Sequence, residues 1–190
     1  DSLAVGPGIG IDNDDWQKSQ DHFIGFKGLL ILDADALNRI SLSELGSKFF
    51  LERKFKTWIT PHSKEFLRLF PHINGENDVE LALKAAKEFN ISILLKGANS
   101  IIANDKKAWQ LFGTDSQTAR AGLGDLLTGF LAGSSAIDLT FCKNITTDYF
   151  VKYVLLHSFA ASNCKTGSNA YAIGDELSKL MRNRKTRQIS

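Results

Sequence analysis

The run Leu29-Leu30-Ile31-Leu32 closes on Asp33-Ala34-Asp35, so four unbroken apolar residues are followed at once by two acids. A strand wetted on one face alternates apolar and polar residues, whereas an unbroken run fits a strand covered on both faces, as in a parallel sheet. The pattern recurs. Leu3-Ala4-Val5 runs into Gly6-Pro7-Gly8-Ile9-Gly10, Thr57-Trp58-Ile59 into Thr60-Pro61-His62, and Ile91-Ser92-Ile93-Leu94-Leu95 into Lys96-Gly97. Between these runs the sequence predicts helices from about Asp12 and over 42–55, 63–70 and 79–89, the last with Leu81, Ala82, Ala85, Ala86 and Phe89 at helical spacing. Strand, helix and strand joined by short links describe an α/β protein with a mostly parallel sheet. Ligands of such sheets lie beyond the carboxyl ends of the strands, so the polar and glycine endings are expected to converge on one crevice. Residues 100–103 and 108–112 read as a hairpin at the sheet edge, and helices are expected over 126–137, 148–162 and 175–181.

A chain of 190 residues, 43% hydrophobic, has material for one domain with a substantial core and is short for two. The formal charge of +2, from 23 basic and 21 acidic residues, leaves no global field to attract nucleic acid. The basic segment 182–187 reads as a solvated, frayed tail. Cys142 and Cys164 have neither metal-ligand nor redox spacing, which predicts a reduced, cytoplasmic protein. No apolar run approaches the roughly 18 residues that a membrane-spanning helix needs. An expected strand begins almost at Asp1, as in a piece that starts in mid-protein.

The chemistry centres on Gly122-Leu123-Gly124-Asp125-Leu126-Leu127-Thr128-Gly129. Glycines ahead of a helix let the main chain approach an anion, the unpaired N–H groups and helix dipole favour negative charge, and Asp125 is placed to take a proton from an attacking hydroxyl. This is kinase-like geometry without a P-loop lysine. Asp33 and Asp35 point to opposite sides if their strand continues through them, leaving at most one in the crevice; the other reading is that both cap a helix or turn starting near Ala36, with Asn38 open to either role. His62 and Glu65, three apart at a helix start, face a ligand or serve structure equally well, with Thr60 or Ser63 available as the cap. Two such residues are too few for a metal site. Lys96-Gly97-Ala98-Asn99-Ser100 puts a glycine turn and a lysine at the same edge, suited to a nucleotide phosphate or ribose or simply to a solvated turn.

Five segments together resemble the ADP- or ATP-dependent NAD(P)H-hydrate dehydratases: GPGIG from Gly6, LDADALN from Leu32, TPHSKE from Thr60, LLKGANSII from Leu94 and GLGDLLTGFLAG from Gly122. The resemblance implies a three-layer, ribokinase-like α/β domain of which residues 1–190 form the C-terminal major part, an N-terminal portion being absent. It implies repair of hydrated NADH and NADPH by phosphorylation of the ring hydroxyl and expulsion of phosphate, with ADP or ATP as donor, ADP preferred, and Mg2+ as cofactor. By motif, Asp125 is the base and, with Gly10 and His62, contacts the hydrated nicotinamide. Lys96, Gly97, Ala98, Asn99, Ser100 and Gly124 hold the nucleotide, while Asp35, Asn38, Glu65 and Gly122 support the site or the metal. Homo-oligomers and a separate N-terminal fragment are the implied protein partners. Family members carry a small residue where this chain has Leu123 and Ala-Thr where it has Arg120-Ala121. The competing readings are a small-molecule kinase of the same fold and a catalytically silent nucleotide-binding fragment.

Overall fold

The computed structural model describes residues 1–10, 15–111, 122–165 and 167–187. Six strands form one sheet in sequential order: β1 (Ser2–Val5), β2 (Leu29–Leu32), β3 (Thr57–Ile59), β4 (Ser92–Leu95), β5 (Ile101–Ala103) and β6 (Ala108–Gln110). The first four run parallel, and β5 and β6 complete the sheet as an antiparallel hairpin. Each strand is shorter than its apolar run with its polar ending, because pairing stops where the chain turns away to form the crevice.

Right-handed crossovers between strands taken in sequential order place their helices on one face. That face carries α1 (Asp15–Gly25), α2 (Ala34–Leu42), α3 (Lys48–Glu52), α4 (Ser63–Leu69) and α5 (Asp78–Phe89). The other carries α6 (Leu123–Asp138) and α7 (Thr147–Asn163), with α8 (Ala170–Arg187) packed outside them. Alternation along the strands divides the core accordingly. Leu30, Leu32, Ile59, Ile93 and Leu95 point to the first layer, among Leu37, Phe49, Phe50, Phe66 and Ala85. Leu29, Ile31, Trp58, Leu94 and Ile102 point to the second, among Leu127, Leu131, Phe150 and Tyr153. Trp58 stacks on Phe150 with centroids 4.6 Å apart. β2 is buried on both faces and its run is unbroken, while the buried polar residues at the starts of β3 and β4, Thr57 and Ser92, are hydrogen-bonded to Arg53 and Thr147.

Several expected elements differ. The helix read over 42–55 is interrupted: α2 ends at Leu42, where Ser43 leaves helical geometry and its hydroxyl and N–H return to the Ile40 carbonyl, and Gly46 takes φ +51° before α3. α6 starts at Leu123, making Asp125 part of its first turn. α8 begins five residues before the expected 175, where the Asn169 side chain accepts from the Ala172 N–H, and it continues through the segment read as a frayed tail. The expected start at Asp12 lies outside the described residues.

Candidate functional site

Four strand ends and the first turn of α6 meet at the carboxyl edge of the sheet. β1 leads into Gly6, where φ is +143° and a Cβ would lie 1.8 Å from the Asp33 carbonyl oxygen, so only glycine fits. Its loop continues through Gly8 and Gly10, both left-handed. Asp35 on α2 accepts from the Gly10 N–H at 2.9 Å, and the Arg39 guanidinium one turn on donates to the carbonyls of Ile9 and Gly10. This loop is therefore clamped from α2. Arg39 is buried and stacked over Trp16, and nothing in its sequence context singled it out.

β2 stops at Leu32, and this settles the two acids. Asp33 caps α2, its Oδ1 accepting from the Ala34 N–H at 2.9 Å, while Ala34 takes a left-handed φ of +46°. Such a conformation costs roughly 1–2 kcal/mol for a residue with a Cβ. The expectation of opposed side chains on a continuing strand fails because the strand has ended, and both acids serve this edge through different partners. Asp33 is 2% exposed, and it receives the Lys96 ammonium on Oδ1 and the Thr128 hydroxyl on Oδ2, each at 2.8 Å. Asn38 lies on α2 with its Oδ1 buried and without a hydrogen-bond partner among the described residues.

β3 delivers His62, and the cap of α4 is this histidine rather than Thr60 or Ser63. Its Nδ1 accepts from the N–H groups of Lys64 and Glu65, and the buried Glu65 carboxylate accepts the His62 N–H at 2.9 Å, a reciprocal capping box. Because Nδ1 is an acceptor, the neutral ring carries its proton on Nε2, assigned from these bonds. The side chain is half exposed, with Nε2 3.5 Å from Glu65. Sequence spacing found the pair but not its geometry, since histidine is an uncommon cap.

β4 is joined to β3 beyond the strand ends by a bridge between His62 and Lys96, the Lys96 N–H donating to the Pro61 carbonyl at 2.8 Å. Gly97, Ala98 and Asn99 form an exposed turn closed by the Ser100 hydroxyl against Gly97. Across from this, Gly122 takes φ +82° at the amino end of α6, and Asp125 is exposed in the first turn. Gly124 faces Asp33 and Lys96: a Cβ there would lie 3.6 Å from Oδ2 and 3.8 Å from Nζ. Leu123 packs beside Ala160, Ala161, Ile173 and Leu177, away from the crevice, whereas Arg120 lies outside the described residues. An apolar groove of about 860 Å3 opens between α6 and α8 with Asp125 at its rim. Among the described residues no three His, Cys, Asp or Glu side chains gather to hold a metal, and no helix is long and apolar enough to cross a membrane.

An open, mostly parallel sheet between helical layers, with a glycine-led helix start at the strand ends, defines a three-layer α/β domain with a crevice at the carboxyl edge of its sheet. Its fold is that of the ribokinase-like proteins. An ADP/ATP-dependent NAD(P)H-hydrate dehydratase of Bacillus subtilis, co-crystallised with ATP and Mg2+, superposes with a TM-score of 0.72 over 96% of this chain and 64% of its own, at 24% identity. A ribokinase-like protein of Enterococcus faecalis gives 0.77 over 96% and 63%, at 22% identity. The model of the NAD(P)H-hydrate dehydratase family matches residues 1–182, and the chain belongs to that family. A bifunctional NAD(P)H-hydrate repair enzyme of Synechocystis is 35% identical over 70% of this chain and 25% of its own length. An ADP-dependent (S)-NAD(P)H-hydrate dehydratase of Nitrosopumilus maritimus is 36% identical over 55% of this chain and 35% of its own. The chain thus spans about a fifth to a third of the length of the curated relatives it matches.

Proposed function

We propose that the protein carrying this chain restores NADH and NADPH from their hydrated forms, with ADP or ATP as phosphoryl donor. The observation that carries the reading is the meeting, in a chain of this family, of the strand-end loops with an exposed aspartate on the first turn of α6. Asp125 takes the proton of the ring hydroxyl as its oxygen forms a bond to the terminal phosphorus. The bridging P–O bond breaks with its electron pair leaving on AMP or ADP; the ring C–O bond of the resulting phosphate ester then breaks with its electron pair leaving on inorganic phosphate, and the adjacent ring carbon gives up a proton to solvent as its C–H pair becomes the ring double bond. Gly10, held by Asp35 and Arg39, and the Nε2–H edge of His62 line the nicotinamide side. Residues 96–100 and Gly124 hold the nucleotide, while Gly122, Asn38 and Glu65 support the edge. The name of the Nitrosopumilus relative favours ADP.

The described carboxylates do not make a magnesium cage. Asp33, Asp35 and Glu65 are each engaged by the chain's own donors. Magnesium fits better as a companion of the nucleotide phosphates, bound largely through water.

The test is nucleotide-dependent recovery of reduced-nicotinamide absorbance from hydrated NADH, with the full protein and its Asp125→Asn variant. Wild-type recovery that falls by about 10²- to 10⁴-fold in the variant, with nucleotide binding retained, is expected for a general base. Near-normal turnover in the variant sinks the role of Asp125, and no recovery by the intact protein sinks the reaction.

A further inference from the structure

The segment Arg53-Lys54-Phe55-Lys56 enters β3 at the amino-terminal edge of the sheet, the end opposite the strand-end loops and Asp125. Two clefts of about 460 and 370 Å3 open there and share a wall of Lys54, Phe55, Lys56 and Ile145. Lys106, from the turn between β5 and β6, lines the larger cleft, and Lys27 and Lys143 line the smaller. Among the described residues none of these five ammonium groups makes an ion pair. With Arg53 and Lys107 the edge holds seven cations against Asp1, Asp105 and Asp148, in a chain whose net charge is only +2. Asp148 is already taken by Lys107 at 3.3 Å. The positive charge of the molecule is therefore gathered at this edge and left largely uncompensated.

We propose that this edge is a second anion site, which binds a small molecule carrying a di- or triphosphate against Lys54, Lys56 and Lys106. It lies at the far end of the strands from the catalytic crevice and takes no part in the repair reaction. Concavity and desolvation separate it from lysines that are merely solvated. Lys56 is fixed in the shared wall, its ammonium donating to Asn144 Oδ1 at 2.5 Å and to the Ile145 carbonyl, and burial pulls its pKa below the ordinary lysine value. An ammonium already short of water loses little further hydration when an anion arrives, and gains an interaction that solvent screens weakly. Lys54 spends one donor on the Leu51 carbonyl at 3.3 Å, and the Lys106 side chain has no acceptor among the described residues, so both keep donors for a ligand. The start of α7, which has no side-chain cap, lines the same cleft, so the positive end of its dipole adds to the lysine charge. The Phe55 ring, 39% exposed, offers apolar surface to the body of the ligand. A cleft of this volume has the size of a small-molecule site and is too confined for the surface of a partner protein.

The experiment is calorimetric titration of the full protein with inorganic tripolyphosphate, for wild type, Lys106→Gln and the double variant Lys54→Gln/Lys106→Gln, at low and moderate salt. Both lysines are exposed, so the variants keep the fold. Affinity is expected to fall about threefold to tenfold with each lysine removed, and to fall as salt rises. Acetylation of the lysines, read by peptide mass spectrometry, locates the site. Tripolyphosphate is expected to protect Lys54, Lys56 and Lys106 and to leave Lys48 and Lys87, exposed on α3 and α5, as reactive as before. Protection of the same three lysines by ATP makes a nucleotide the source of the phosphates, whereas protection by tripolyphosphate alone makes it a free polyphosphate. No binding by wild type, unchanged affinity in both variants, or protection spread evenly over the exposed lysines overturns the proposal. Both variants are expected to convert hydrated NADH within about twofold of the wild-type rate. A loss of turnover that follows the loss of tripolyphosphate would tie these lysines to catalysis and overturn a separate site. If wild type converts no hydrated NADH while the protection holds, the anion site stands and the dehydratase reading alone falls.

Discussion

At the amino-terminal edge of the sheet Arg53 lies under a roof of carbonyl oxygens, whereas at the carboxyl edge Lys96 is anchored by one carboxylate and otherwise faces outward. Arg53 is 5% exposed and donates to the carbonyls of Phe23, Ile24, Phe26, Gly28 and Lys56 and to the Thr57 hydroxyl. Its guanidinium also lies over Phe26 and Phe55. Burial pushes its pKa down to about 10, which leaves it charged at neutral pH. The difference teaches how to read a cation in a folded chain. Arg53 has its donors distributed over the end of α1 and the starts of β2 and β3, so it organises backbone and has little left for a ligand. Lys96 is held by one carboxylate with its side chain 29% exposed, so solvent reaches it where it does not reach Arg53.

The comparison can be broken most severely at Arg53. Arg53→Met strands several buried carbonyls without a donor and is expected to lower stability by about 4 kcal/mol. Urea unfolding measures this, and nucleotide affinity per folded molecule should stay unchanged. A stable Arg53→Met protein that has lost nucleotide binding would reverse the assignment of the two edges.

Acid sharpens the comparison from the other side. His157 on α7 has its pKa pushed down to about 4 by burial, a backbone hydrogen bond at Leu123 partly opposing this, so the ring lies under the foot of α6. The unfolded chain binds this proton near pH 6.5 and the folded chain only near 4. Stability is therefore full above the first value, declines as pH falls between the two, and falls no further below the second. The loss is expected to reach on the order of 3 kcal/mol. Urea unfolding of wild type and His157→Gln at neutral and mildly acid pH checks it, the variant showing the shallower decline; identical pH dependences would remove His157 as the cause.

The smallest effect concerns the two jobs of His62. His62→Ala removes the cap of α4 and is expected to cost about 1 kcal/mol, whereas His62→Asn restores a capping oxygen and most of that stability. If Nε2–H contacts the hydrated nicotinamide, both variants raise KM for that substrate. A normal KM in His62→Asn would leave capping as the whole role of the residue.

Much of this was legible in the chain. Runs such as Leu29 to Leu32 and Leu94-Leu95 announced strands covered on both faces, and their polar endings marked the edge where the strand-end loops meet α6. Local chemistry was less legible where two roles compete for one side chain. Asp33 was weighed as cap or crevice residue and serves a cap, a cation and a hydroxyl at once. His62 was read as facing a ligand or serving structure, and its Nδ1 proves to be the cap. Arg53, inside the charged stretch Glu52-Arg53-Lys54, gave no sign of being the buried cation, because local sequence does not say which carbonyls will surround it.

The sequence by itself determined the layers, the polarity of the two sheet edges and the glycines at the turns, because burial, alternation and backbone freedom act over a few neighbouring residues. Only the tertiary structure decided that Asp33 joins Lys96, 63 residues away, and Thr128, 95 away. Those partners meet because the sheet aligns its strand ends and α6 packs across them, and no local periodicity records which side chains such packing will bring within a hydrogen bond of one another.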